Sequence, residues 1–89
     1  MVLAVLYFDV KAGADLPGSL RKSSDLFTAA SGYRGHDLKR GVEDPDRYLL
    51  TVEWDSVDDH MSWQKAHAAQ FLGILQPMLV RPPDIKHFA

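Results

Sequence analysis

Between Tyr48 and Leu79 a strand-like alternation runs directly into a long helical period: YLLTVEW, then DSVDDHMSWQKAHAAQFLGILQPML. Period 2 followed at once by period 3.6 predicts a β-strand feeding an amphipathic helix. Tyr48, Leu50 and Val52 fall on one face of the strand, and Leu49, Thr51 and Glu53 on the other. Ser56 stands where a helix N-cap belongs, with Asp59 three residues later at capping-box spacing. The helix spans about Val57 to Gln76 and is stopped by Pro77.

The remaining segments extend this unit. Met1 to Val10 is nearly continuous in apolar residues, as in a strand covered on both faces, and Gly13 breaks it. Asp15 and Pro17 mark a helix start, Leu20, Ser23, Ser24, Phe27 and Ala30 recur at helical spacing, and Gly32 is a stop. Tyr33 to Arg40 reads as a strand joined to Arg47–Trp54 by the turn Val42-Glu43-Asp44-Pro45-Asp46. Asp84 to Phe88 is a short last strand. The order βαββαβ is that of a ferredoxin-like α+β fold: a four-stranded antiparallel sheet with two helices on one face. The chain, residues 1–89, is expected to form one domain. The sheet face around Leu3, Val5, Leu49 and Thr51 has no cover in this arrangement, which predicts a homodimer pressing sheet on sheet.

Composition narrows the function classes. The chain has no cysteine, so disulfides, thiolate metal sites and a Cys nucleophile are excluded. A net charge of −2 with scattered Lys and Arg offers no field for nucleic acid. The apolar N-terminus is too short to span a bilayer and lacks a basic leader, so the expectation is a soluble, cytoplasmic protein without a membrane partner. No phosphate-cradling Gly-rich loop or nucleophile elbow occurs.

On a helical wheel, Val57, Met61, Gln64, Ala68, Leu72 and Leu75 form the centre of the expected buried stripe. His60, Trp63, His67, Phe71 and Ile74 line one flank, where amphipathic side chains can border a small-molecule pocket. The same residues fit ordinary packing, with Trp63 capping the core edge and two surface imidazoles, and spacing alone leaves both open. His60 and His67 are two turns apart, roughly 10 Å, which is too far for one metal ion to accept both. His36 and His87 lie on predicted strands and could come near the pocket or the dimer seam, and the sequence leaves both places open.

The segments VEW, DSVDDHMSW, QFLGILQPML and IKHFA together resemble the antibiotic biosynthesis monooxygenase domain family across essentially the whole chain. The resemblance implies a dimeric α+β barrel of ferredoxin-like protomers. It implies a small-molecule substrate and one of several chemistries: cofactor-independent oxygenation of polycyclic phenols, quinol oxidation or haem degradation. Trp63 matches the helix Trp of the haem-degrading branch, but Gly73, Ile74 and Leu75 stand where its haem-ligating His belongs, and Leu6, Tyr7 and Phe8 offer no counterpart to its first-strand Asn. What remains is a reaction without a cofactor or metal, on a small aromatic, quinol or polyketide-like substrate with O2 as co-substrate. His60 or His67 would act as base, and Trp63, Phe71, Tyr7 and Ile74 would contact the ring. The alternative is a non-redox binding protein, cyclase or isomerase using the same pocket.

Overall fold

The computed structural model describes residues 1–89. Strand β1 (Val2–Asp9) leads into helices α1 (Leu16–Ser23) and α2 (Asp25–Thr28), then strands β2 (Tyr33–Arg40) and β3 (Arg47–Trp54), helix α3 (Val57–Leu75), a 3-10 turn (Gln76–Met78) and strand β4 (Asp84–Phe88). The four strands form one sheet in the order β2-β3-β1-β4, with every neighbouring pair antiparallel. This is the ferredoxin-like arrangement, with the helices on one face.

Strand alternation decides which residues meet the helices. On β1, Ala4, Leu6 and Phe8 are buried in the core together with Val10 just beyond the strand, and β3 contributes Tyr48, Leu50, Val52 and Trp54. Leu16 and Leu20 of α1, Phe27 of α2, and Phe71 and Leu75 of α3 close over them. The opposite sheet face carries Leu3, Val5 and Tyr7 on β1, paired in register with Glu53, Thr51 and Leu49 on β3. No helix covers that face.

Two expectations are corrected. The first helical run is broken at Ser24 into α1 and α2. Ser23 Oγ donates to the carbonyls of Ser19 and Leu20, and Ser24 Oγ donates to that of Arg21. Serines that bond backward in this way compete with the helix ladder. The second correction concerns α3, whose buried face is rotated about half a residue step from the expected stripe. Leu75 is buried as expected, but Val57 and Met61 are exposed, whereas His60 and Phe71 from the flank are buried.

The chain after α3 is pinned to the end of β1. Lys11 N donates to Met78 O and Val80 N to Asp9 O, both at 2.8 Å, and Arg81 pairs with the Asp9 carboxylate at 2.8 Å. These bonds deliver β4 to the outer edge of β1, where His87 lies opposite Ala4 and Ile85 opposite Leu6.

Candidate active site

His60 enters the site through the first turn of α3. Ser56 Oγ accepts the Asp59 N–H at 3.1 Å and donates to the Asp59 carboxylate at 3.0 Å, so the helix start is fixed directly after Trp54. The imidazole of His60 is only 4% exposed. It stacks on Trp54 at a centroid distance of 5.1 Å and an angle of 18°, and lies near-parallel to Trp63 at 6.1 Å. Its Nδ1 is hydrogen-bonded to Nε2 of His87 at 2.6 Å, across from α3 to β4. Burial, and secondarily the charge of His87, lower the His60 pKa from 6.5 to about 4. The ring is therefore neutral at pH 7, with Nε2 free of the His87 bond.

Beside it lies an apolar cavity of about 40 Å³. Leu6, Leu50, Val52 and Ile85 form its floor on the sheet, and Trp54, Phe27 and Phe71 form aromatic walls. α3 supplies His60, Trp63, Gln64, Ala68 and Leu72, of which only His60 and Gln64 are polar. Phe27 is the hub of the walls, edge-on to Trp63 at 6.2 Å and to Phe71 at 5.6 Å. Trp63 is locked from outside the cavity, because its Nε1 donates to Leu26 O at 2.7 Å. Ligand sites for drug-sized molecules run to several hundred Å³. The cavity as it stands is smaller than an aromatic ring, with the half-buried Trp63, Gln64 and Leu72 on its helix side.

The structure brings together His60, Trp63 and Phe71 from the residues singled out in the sequence. It does not bring in the other three. His67 is exposed and lines a separate surface hollow with Asp59, Ser62 and the outer side of Trp63. Tyr7 stands on the far face of the sheet, because β1 turns only its even-numbered residues towards the helices, and its ring lies under the Arg47 guanidinium at 4.8 Å. Ile74 is 43% exposed, beyond the edge of the buried face of α3. His36 bonds the Tyr33 hydroxyl at 2.6 Å on β2 and lies edge-on to Phe27 at 5.0 Å, behind the cavity wall rather than in its lining. Sequence reasoning missed Trp54 and Gln64 as lining residues and His87 as the partner of His60. Trp54 was legible as the last inward residue of β3. The His87 contact spans 27 residues and depends on strand register.

A profile of the antibiotic biosynthesis monooxygenase family matches residues 1–72. The chain belongs to this family. It is 28% identical over 79 residues to the protein SchA of Streptomyces halstedii, covering 86% of this chain and 20% of SchA. The chain therefore spans about a fifth of that relative's length. A crystal structure from Bordetella bronchiseptica carrying the same family designation superposes with a TM-score of 0.91 at 28% identity, over 99% of this chain and 94% of that one. SnoaB of Streptomyces nogalater, a cofactor-independent oxygenase, superposes with a TM-score of 0.85 at 18% identity, over 99% and 90% of the two chains. At that identity the likeness carries the fold alone.

Proposed function

We propose that this protein is a cofactor-independent monooxygenase acting on a small aromatic, quinol or polyketide-like enol. The observation that carries the reading is a buried, neutral imidazole set in the wall of an apolar, aromatic cavity. Membership of the family supports it. In this reading the substrate ring packs against Trp63 and Phe71, and His60 Nε2 accepts the proton of its hydroxyl. The apolar walls keep water from the electron-rich anion while O2 reacts with it. One oxygen atom is retained by the product and the other leaves as water, with all electrons supplied by the substrate.

A second reading rests on the same imidazole. Proton transfer at His60 without oxygen would make the chain a cyclase or isomerase, and a ligand held without reaction would make it a binding protein. An oxygen electrode separates these readings, with naphthohydroquinone and anthrone as trial substrates. The oxygenase reading expects protein-dependent O2 uptake above autoxidation and a quinone product that carries one oxygen atom from O2: the hydroxyquinone from naphthohydroquinone and the quinone from anthrone. Binding of both compounds without O2 uptake would favour the second reading.

We also propose that the functional unit is a homodimer formed through the uncovered face of the sheet. Leu3, Val5, Tyr7 and Leu49 lie there beside Phe88, which is 57% exposed at the sheet edge. An apolar face of this kind marks an interface. No helix is long and apolar enough to cross a membrane.

A further inference from the structure

His87 has a place in the site that strand pairing does not require. Its ring crosses from the edge strand β4 to meet His60 on α3, at 2.6 Å between nitrogens and 4.8 Å between ring centroids. Its partner in register on β1 is Ala4, a small side chain that leaves room for an imidazole above it. The two rings differ in access to water: His60 is buried against the cavity, and His87 is half-buried at the sheet edge. From β3 the pair is faced by Trp54, from α3 by Trp63 and from β1 by Ala4, none of which carries a charge. No carboxylate among these neighbours shares a proton with either ring.

We infer that His60 and His87 form a two-histidine relay that carries the proton of a bound phenol or enol out of the cavity. The inference rests on the cavity reading proposed above. At the start His60 carries its proton on Nδ1 and donates it to His87 Nε2. The substrate O–H bond breaks as a bond to His60 Nε2 forms. The His60 Nδ1–H bond then breaks as a bond to His87 Nε2 forms. The substrate becomes an anion, His60 is again neutral with its proton on the other nitrogen, and the positive charge rests on His87, where water reaches it. A lone His60 would have to keep that charge in apolar surroundings, which its burial opposes. His87 is thus the residue that lets a buried and weakly basic imidazole act as a base.

The test uses para-nitrophenol, which is coloured only as the phenolate, at a pH where the free probe is mostly protonated. Binding is followed by quenching of Trp emission and ionisation by absorbance. In His87→Gln the amide oxygen can still accept from His60 Nδ1 but cannot take its proton. The relay expects the wild-type protein to bind the probe as phenolate. The variant should bind it in the neutral form and about tenfold more weakly, by the factor that ionisation adds in the wild-type protein, and in His87→Ala added imidazole should restore ionisation. Turnover of any oxidisable phenol should fall about a hundredfold in His87→Gln, the scale of a lost acid–base group. Equal ionisation in wild type and variant, or a neutral probe in both, overturns the relay and leaves the cavity reading standing. Failure of the probe to bind overturns both. Ionisation without O2 uptake would keep the relay and remove the oxygenase. Nitrogen NMR of the imidazoles decides independently of any ligand, since a His60 proton resident on Nε2 would leave that atom unable to accept another.

Discussion

At the residue scale, His60 and Trp63 do more structural work than pocket residues on a helix flank would. Trp63 packs against Phe27, Phe71 and Trp54 and donates to Leu26 O, tying α3 to α2. Trp63→Phe keeps a ring and loses the hydrogen bond, so it should cost about 1 kcal/mol. Trp63→Ala opens a void and should cost about 3 kcal/mol, at the lower end for truncated aromatics because the side chain is half-buried. Urea melts of the two variants check the split. His60 makes stability depend on pH in a defined direction. Its pKa is about 4 when folded and near 6.5 when unfolded, so the unfolded chain holds more protons between those values. Its contribution is fully present above about pH 6.5 and is lost as pH falls towards 4, on the order of 3 kcal/mol in all. Chemical melts at pH 7 and at pH 4.5 should show a smaller acid loss in His60→Phe than in the wild-type chain, and equal losses would assign the acid sensitivity to other groups.

At the element scale, the start of α3 and the entry to β2 depend on each other. Gly32 has φ +83°, and a Cβ there would run into the Asp59 side chain that completes the Ser56 cap. Gly32→Ala should therefore cost at least about 1–2 kcal/mol, from the left-handed backbone alone. Ser56→Ala should cost about 1 kcal/mol. Because both changes disturb Asp59, their effects in the double variant should fall short of additive, as thermal melts of the three proteins can show. These caps were legible in the sequence, because a cap is a local pattern of residue types. The strand assignments and the overall order were legible for the same reason. The break at Ser24 was not, because hydroxyls bonding backward leave the apolar spacing of Leu20 and Phe27 intact. The rotation of α3 was also hidden. Val57 and Met61 are apolar but lie beyond the sheet's reach, while the polar His60 is buried because His87 and two indoles accommodate it. A wheel ranks residues by polarity and cannot register a partner on a distant strand.

At the scale of the whole molecule, the two faces of the sheet have separate roles. One face and the helices enclose the cavity, and the other carries the half-buried Leu3 and Leu49 and the exposed Tyr7 around a buried Val5, with no helix over them. Light scattering at micromolar concentration should report about twice the 10.0 kDa of the chain. Leu49→Glu would place an unpaired charge at the seam and should shift the protein to monomer while far-UV circular dichroism stays unchanged. A wild-type protein that is folded and monomeric would contradict the dimer. Whether the cavity beside His60 receives an aromatic hydroxyl is decided by a crystal structure with naphthol, a phenol that needs no oxidation to bind. The ring should lie between α3 and the sheet, against Trp63 and Phe71, with its oxygen within hydrogen-bonding distance of His60 Nε2. Naphthol seated on the open sheet face or in the hollow beside His67, with the His60 cavity closed, would contradict this placement.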